Sequence, residues 1–213
     1  MSDKFSWGSH IPINKSILKT FNITGVLELG SGFHSTPLFF NSCDYAISVE
    51  QDKAWIKKLK EESQIVEDGN HCMIYQDVEP CTRATRRKDI SKDILDAASD
   101  FFIEVSADDK LNFLFVDCYS GFRLEVLDSI HHKFDCIVFH DVQPRGMINH
   151  SYEHFIPNKD FVLLKDTTFV CHSGILIKKE LFDEKFEELK DTFEKEVLEY
   201  AGNERFKPIL EKW

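Results

Sequence analysis

The stretch from Gly25 to Asn41, which reads GVLELGSGFHSTPLFFN, constrains the fold of this chain more than any other. Its apolar run Val26–Leu29 is typical of a buried parallel strand, and Gly30 and Gly32 directly after it indicate a tight turn. The Ser-Thr-Pro sequence at 35–37 predicts a helix start, with Ser or Thr as the N-cap and Pro as the first helical residue. We therefore predict a strand, a turn and a helix in immediate succession.

A turn of this kind points to a ligand. Glycine is needed where the backbone takes positive φ or where a ligand presses against it. The helix that follows aims unpaired N–H groups at whatever lies over the turn. An ordinary turn without a ligand also contains glycines, so the prediction depends on further residues at fixed distances.

Strand and helix patterns alternate along the rest of the chain. We predict further strands at 45–49, 71–75, 111–116 and 134–139, with helices at 53–64, 93–105 and 121–132. Two final apolar runs, 161–164 and 170–177, are separated by only five residues, too few for a parallel crossover, and so predict an antiparallel hairpin. The fold class is α/β, a doubly wound seven-stranded sheet in three layers, mostly parallel with the last strand antiparallel.

The composition favours one domain. The chain has 213 residues, of which 42% are hydrophobic and 19 are Phe, and no linker-like stretch divides it. We predict a single domain over 1–213, with an N-terminal arm at 1–22 and an acidic C-terminal helix at 180–213. Trp7 and His10 in the arm are candidates either for a lid over the ligand or for packing on the core.

Cysteine usage and charge indicate the compartment and the partners. The six cysteines form no C-x-x-C pair, which predicts reduced thiols and a cytoplasmic protein. The sequence contains no apolar signal region or membrane-spanning stretch, so we expect no membrane partner. The net charge of −11 opposes binding to a nucleic-acid backbone.

Acidic side chains follow the second and third predicted strands. Glu50 lies twenty residues after Gly30, where an acid at the tip of the neighbouring strand can accept from both hydroxyls of a ribose. Asp77 follows the third strand and is a candidate to accept from an adenine amino group. A solvated loop acid is an equal interpretation of Asp77.

The stretch Glu28–Gly32 resembles the first motif of the class I S-adenosylmethionine-dependent methyltransferases, a Rossmann-like family whose seven-stranded sheet has a reversed last strand. In that family the acid before G-x-G sits near the methionine end of the cofactor. Glu50 matches the ribose-binding acid, Asp77 more loosely the adenine-side acid, and Asp117 the end of the fourth strand. The resemblance implies that the cofactor S-adenosylmethionine is bound by Glu28, Gly30, Ser31, Gly32, Ser35, Thr36, Glu50, Asp77 and Asp117.

The match has one departure. Many members of the family carry a third glycine two or three residues after the second, where this chain has His34 and Ser35. An NAD-binding Rossmann domain is an alternative, because it also has an acid about twenty residues after its glycines. Its G-x-G-x-x-G fingerprint requires glycine at position 35, and Glu28 and the terminal hairpin favour the methyltransferase.

Methyl transfer from a sulfonium is an in-line displacement, so the protein must hold the acceptor in line and remove or mask its proton. Ligands of open α/β sheets bind outside the carboxyl ends of the strands. The acceptor-side candidates are therefore Trp7, His10, Asp117, Tyr119, Arg123, His140 and Asp141. We predict that catalysis depends on Asp117, His140 and Asp141, with His140 or Asp141 as the base.

Asp117 and Asp141 also resemble the acids of metal-dependent O-methyltransferases, which hold a divalent ion that lowers the pKa of a hydroxyl acceptor. Those enzymes usually have Asn after the second acid, and Val142 takes that place here. A divalent metal is therefore compatible with the sequence but not favoured, and no metal ligand is assigned.

Two classes of function fit these observations. The first is a methyltransferase acting on oxygen or nitrogen of a small-molecule or glycan-type acceptor, as a monomer or a homodimer. The second is a non-catalytic protein that keeps the nucleoside pocket or uses the fold and the acidic helix for interactions. The basic residues Arg83, Arg86, Arg87 and Lys88 are assigned to a solvated face.

Overall fold

The structure is a computed structural model that describes residues 8–63, 65–202 and 207–213. Trp7, one of the two lid candidates, and Gln64, the predicted last residue of a helix, lie outside these ranges. None of the helices in the described residues is long and apolar enough to span a membrane. All six cysteines are described and remain thiols; Cys43, Cys118 and Cys136 are buried.

The described residues contain eight strands and seven α-helices. The strands are β1 (Gly25–Leu29), β2 (Tyr45–Glu50), β3 (His71–Tyr75), β4 (Phe113–Val116), β5 (Cys136–His140), β6 (Phe161–Asp166), β7 (Ser173–Lys178) and β8 (Leu210–Lys212). The helices are α1 (Ile11–Thr20), α2 (Ser35–Ser42), α3 (Lys53–Glu62), α4 (Lys92–Val105), α5 (Arg123–Ile130), α6 (Pro144–Asn149) and α7 (Lys179–Ala201).

All eight strands form one sheet in the order β3-β2-β1-β4-β5-β7-β6-β8. Strands β1 to β5 are parallel, whereas β7 pairs antiparallel with both β5 and β6. The chain runs outward from β1 in one direction through β2 and β3, and then in the other direction from β4. The predicted mostly parallel sheet with a reversed strand is therefore confirmed, and the carboxyl ends of β1 and β4 flank the reversal of strand order.

Apolar side chains cover both faces of the sheet. On one face Leu29 packs in a cluster with Phe102 of α4 and Val126 of α5. On the other, Val26 packs with Ile13 of α1 and with α7. All of β1 is buried, as expected for a parallel strand covered by helices on both sides. The three predicted layers are confirmed.

The predicted strand count was one too low. Strand β8 pairs antiparallel with β6 at the sheet edge, within the region predicted as the acidic C-terminal helix. The predicted C-terminal helix is present as α7, but it ends at Ala201. The eighth strand has three residues, too few for its alternating pattern to be visible in the sequence.

The predicted N-cap of α2 was wrong. The helix begins at Ser35 itself, and the N-cap residue His34 makes no side-chain cap hydrogen bond. The Thr36 hydroxyl instead accepts from the Gly32 N–H at 3.0 Å and donates to Glu28 Oε2 at 2.7 Å. It therefore holds the turn to β1 rather than capping the helix.

Two further boundaries differ from the predictions. The connection after β5, where no helix was predicted, contains helix α6, which begins at Pro144. Strand β7 begins at Ser173 rather than at residue 170, because Ser173 is the first of its residues to pair with both β5 and β6. Both differences lie beside the cavity described below.

Candidate functional site

Gly30 forms the sharpest part of the turn after β1. Its φ is +95°, a conformation that disfavours any residue with a Cβ atom. A Cβ at this position would lie 2.3 Å from the backbone of Asp117 at the end of β4. Glycine at position 30 is therefore required by both conformation and space, and it brings the carboxyl ends of β1 and β4 together.

Glu28 is buried beneath this turn. Its Oε2 accepts hydrogen bonds from Thr36 Oγ1 at 2.7 Å and from Ser48 Oγ at 2.6 Å. Burial raises the pKa of Glu28 to about 7, against the opposing effect of the hydroxyl donors. Because Glu28 is only 1% exposed, it supports the turn from below.

Glu50, the predicted ribose acid, is fixed at the end of β2. Its Oε2 accepts from the N–H and hydroxyl of Ser31, at 3.1 and 3.0 Å, and its Oε1 accepts from the N–H groups of Gln51 and Asp52. Burial raises the pKa of Glu50 despite these donors. The carboxylate thus ties the glycine turn to β2 in a set orientation.

A cavity of about 620 Å³ opens at the carboxyl ends of β1, β2, β4 and β5. This volume is in the range typical of small-molecule sites. It is lined by eight residues of the predicted site, namely Gly30, Ser31, Gly32, Ser35, Glu50, Asp117, His140 and Asp141. The cavity is also lined by the acceptor-side candidates His10, Tyr119 and Arg123. Glu28 and Thr36, two further residues of the predicted site, lie behind its wall.

Asp77 does not reach this cavity. Its side chain is exposed and accepts from the N–H of Glu79 at 3.1 Å, as a solvated loop acid does. The buried side chain at the end of β3 is Gln76, which accepts from Gln51 Nε2 at 2.8 Å. A second cavity of about 480 Å³ lies beside Gln51 and shares Tyr119 with the first.

The buried guanidinium of Arg123 joins the ends of β4 and β5. Its Nη2 donates to Asp117 Oδ1 at 2.6 Å, and its Nη1 donates to the carbonyl oxygen of His140 at 3.0 Å and to Asp141 Oδ2 at 3.3 Å. Its Nε donates to the carbonyl oxygen of Cys118 at 2.8 Å. Sequence analysis placed Arg123 only among the acceptor-side candidates, whereas the structure makes it the group that holds both acids.

Two imidazoles stand beside these acids. The His140 Nδ1 atom lies 3.6 Å from Asp117 Oδ1 and 3.8 Å from Asp141 Oδ1, and its Nε2 lies 2.9 Å from Ser9 Oγ. The ring of His10 packs edge-on against His140, with 4.9 Å between centroids. The segment that carries Ser9 and His10 is buried, so His10 is a wall of the cavity.

The charges of this cluster follow from its contacts. Burial alone would raise the pKa of Asp117, but Arg123 and His140 outweigh it and hold that pKa below its usual value. Burial also opposes charge on Asp141, yet neighbouring His150, His140 and Arg123 hold its pKa low as well. Burial lowers the pKa of His10 to about 3, so this ring is neutral.

Asp141 adopts a left-handed conformation, with φ +66°. Gly146 of α6 packs against it so closely that a Cβ there would lie 1.8 Å from the Asp141 carbonyl oxygen. Glycine at 146 is therefore needed for this packing. Close approach of α6 fixes the turn after β5, in a connection where no helix was predicted from the sequence.

The assignment of the basic cluster to solvent was wrong for Arg87, whereas Arg83 is exposed. Arg87 Nε donates to both carboxylate oxygens of the buried Glu125, at 2.8 and 2.9 Å. Arg83 lies 4.8 Å above the ring of Trp55 and lines both cavities. The Arg87 contact joins residues 38 positions apart, so no local pattern reveals it.

Sequence analysis missed several residues that line the larger cavity. They are Phe33, His34, Trp55, Lys58, Arg83, Cys118, Ser120, His150 and Cys171. Trp55 lies in the predicted helix 53–64, and its Nε1 donates to the Ser31 carbonyl oxygen at 2.9 Å. His150 lies in the connection after β5, and its Nδ1 is 2.8 Å from Ser120 Oγ. Neither position has a local signal, since each depends on contact between distant segments.

Solved methyltransferases share this fold. An rRNA methylase from Streptococcus thermophilus superposes with a TM-score of 0.54 at 8% identity, covering 80% of this chain and 95% of its own. A methyltransferase-like protein from Silicibacter pomeroyi gives 0.51 at 14% identity, covering 83% and 92%. Human methyltransferase-like protein 13 in complex with SAH gives 0.51 at 12% identity, covering 97% and 95%.

These likenesses confirm the predicted Rossmann-like methyltransferase fold. No family model and no curated protein sequence matches the chain. At such low identity the shared feature is the fold, and the activity must be argued from the site.

Proposed function

We propose that this protein is an S-adenosylmethionine-dependent methyltransferase. The observation that carries the proposal is that the Gly30–Gly32 turn and Glu50 line the same cavity as Asp117, His140 and Asp141. A nucleoside-binding wall and a polar acceptor wall within one cavity are what transfer between two bound molecules requires. The methyltransferase fold supports the same conclusion.

Glu50 is proposed to hold the cofactor ribose. A carboxylate offers about four acceptor positions, and four donors from Ser31, Gln51 and Asp52 occupy them on Glu50. Three of these donors are backbone N–H groups, whereas the fourth is the rotatable Ser31 hydroxyl. We expect a ribose hydroxyl to displace the Ser31 hydroxyl and take its place on Glu50.

The remaining cofactor contacts follow from the layout. Gly30 and Gly32 bring backbone against the larger cavity, where the methionine end is proposed to lie. The second cavity beside Gln51 and Tyr119 is proposed to take the adenine. Because Asp77 points to solvent, the adenine-side role predicted for it is replaced by these neighbours.

The acceptor is proposed to bind against Asp117, His140 and Asp141 and to be a small-molecule or glycan-type compound. The wall is polar and charged, which suits an acceptor bearing hydroxyl or amino groups. One structure with the same fold is an rRNA methylase, but the net charge of −11 here disfavours a nucleic acid.

Calorimetric titration of the full chain with S-adenosylmethionine, S-adenosylhomocysteine and NAD⁺ tests the cofactor. We expect micromolar binding of the two sulfur nucleosides and no heat from NAD⁺. Binding of NAD⁺ alone would replace the proposal with a dinucleotide-binding domain. A folded sample that binds none of the three would favour the non-catalytic interaction protein. Incubation with methyl-labelled cofactor and fractionated metabolites would then identify the acceptor.

A further inference from the structure

Among the described residues, the buried imidazole of His10 has no hydrogen-bond partner. It is 3% exposed, and within the described residues neither Nδ1 nor Nε2 is bonded to another group. Buried polar groups in native proteins are almost always paired, and leaving one unpaired costs about 1–3 kcal/mol. Because His10 lines the cavity, a ligand there is the natural partner for one of its nitrogens.

The neighbours of His10 are metal-ligating groups. Three possible ligand atoms lie within 4.8 Å of one another: a ring nitrogen of His10, a ring nitrogen of His140 and a carboxylate oxygen of Asp117. The separation of 3.6 Å between His140 Nδ1 and Asp117 Oδ1 is long for a hydrogen bond. It is close to the roughly 3.3 Å between two atoms that each lie about 2 Å from a tetrahedral cation.

Both His140 and Asp117 already have the outer partners that metal ligands usually have. The second nitrogen of His140 lies 2.9 Å from Ser9 Oγ, and Asp117 accepts from Arg123 Nη2 at 2.6 Å. Ligating histidines and carboxylates are normally oriented by a second hydrogen bond of this kind. The cluster therefore has both an inner and an outer set of contacts.

The charge of the cluster also suits a divalent cation. Arg123 is paired with two carboxylates, Asp117 and Asp141, so these three side chains together carry one net negative charge. A divalent ion would turn that into one net positive charge. The side chain of Asp117 is 30% exposed, so a cation bound to it would have a coordination position open to the cavity.

We propose that His10, Asp117 and His140 bind a divalent transition-metal ion of the zinc class. Two imidazoles and one carboxylate suit zinc, cobalt or iron rather than magnesium, which prefers oxygen ligands. This set differs from the pair of acids considered from the sequence. Val142 is buried and supplies no oxygen, whereas His10 from the N-terminal segment supplies a nitrogen.

The role of the ion in turnover rests on the proposed methyl transfer, whereas its binding does not. An acceptor hydroxyl that coordinates such an ion loses its proton more readily, because the cation stabilises the alkoxide. His140 would then be a ligand rather than the base predicted from the sequence. The ion thus offers one answer to how the acceptor is activated.

Titration of the untagged, chelator-stripped full chain with Co²⁺ tests the site. We expect visible d–d absorption at one equivalent, removed by Zn²⁺ and unaffected by excess Mg²⁺. The variants His10→Gln and Asp117→Asn should weaken binding by more than the roughly 10- to 100-fold that loss of an outer partner costs. Ser9→Ala, which removes the outer partner of His140, should weaken Co²⁺ binding by an amount within that range. His132→Gln replaces an exposed histidine that does not line the cavity and is the control, expected to bind Co²⁺ as the wild type does.

The outcomes separate this inference from the proposed function. A folded wild-type chain with no Co²⁺ absorption would overturn the metal site while leaving cofactor binding to be judged by calorimetry. Absorption lost in Cys171→Ser but retained in His10→Gln would also overturn it, because the ligands would then be His140, Asp141 and Cys171. Metal binding without S-adenosylhomocysteine binding would uphold this inference and contradict only the proposed transfer.

Discussion

The Arg123 guanidinium lies 2.6 Å from the carboxylate of Asp117 at the end of β4. The same guanidinium also donates to the carbonyl oxygen of His140 at the end of the neighbouring strand β5. One buried cation therefore sets the spacing of the two strand ends on which the acceptor wall is built. Arg123 is a positioning residue whose loss should affect stability and site geometry together.

We expect Arg123→Met to destabilise the folded protein by about 3–5 kcal/mol, because it leaves two carboxylates near a low-dielectric interior without their partner. Urea unfolding followed by circular dichroism gives the free energy of unfolding. The exposed Arg145 provides the control, since Arg145→Met should change stability by no more than about 0.5 kcal/mol. Equal effects of the two substitutions would show that the Arg123 contacts contribute little.

The role of Glu50 is tested by cofactor affinity. Glu50→Ala should weaken S-adenosylhomocysteine binding by about 1.5 to 3 kcal/mol, because the charge-assisted hydrogen bond to the ribose hydroxyl is lost. Calorimetry measures the change, with circular dichroism to verify that the variant is folded. Asp77→Ala removes the exposed acid of the neighbouring strand and should leave affinity unchanged. An unaltered dissociation constant in Glu50→Ala would remove the central cofactor assignment.

Burial of Glu28 should make stability depend on pH. The folded-state pKa of about 7 lies above the ordinary value of 4.5, so the folded protein keeps the Glu28 proton at pH values where the unfolded chain releases it. Its contribution is complete below about pH 4.5 and is lost as the pH rises through 7, a fall of about 3 kcal/mol.

Glu28→Gln should remove this dependence and stabilise the protein above pH 7, since a neutral amide can accept from the same hydroxyls. Free energies of unfolding at pH 5, 6, 7 and 8, without ligand, measure the difference between variant and wild type. Parallel pH profiles for the two proteins would show that Glu28 is not titrating in this range.

Members of the basic cluster should differ sharply in their contribution to stability. Arg87→Gln should cost about 1–3 kcal/mol, because it leaves the buried Glu125 carboxylate without its bidentate partner. Lys88→Gln, one position along and exposed, should cost no more than about 0.5 kcal/mol. Thermal unfolding of both variants distinguishes them, and identical melting temperatures would return Arg87 to the solvated face.

The features predicted correctly from the sequence are those encoded over short distances. The run Glu28–Gly32 contains strand, turn and acid within five residues, and the twenty-residue spacing to Glu50 is characteristic of one strand-helix-strand unit. Apolar runs likewise gave the parallel strands and the terminal hairpin. These signals depend on local periodicity and on glycine stereochemistry, which any reader of the sequence can see.

The rest of the site depends on contacts between distant segments. Nothing near Arg123 indicates that it reaches two strand ends, and nothing near His10 indicates that it stands beside His140. Asp77 follows β3 as predicted, but its side chain is exposed and does not line the larger cavity. Strand order places residues at an edge of the sheet, but packing decides which of them face the cavity.

The hydrogen bond between Ser9 and His140 closes a loop of 131 residues. Contacts that join such distant positions pay the entropy of loop closure before they gain any energy, and they slow folding. We therefore expect the wall formed by Ser9 and His10 to be completed after the strands from β1 to β5 have assembled. A chain released from synthesis can have its sheet in place, and its glycine turn formed, while the far side of the cavity is still open.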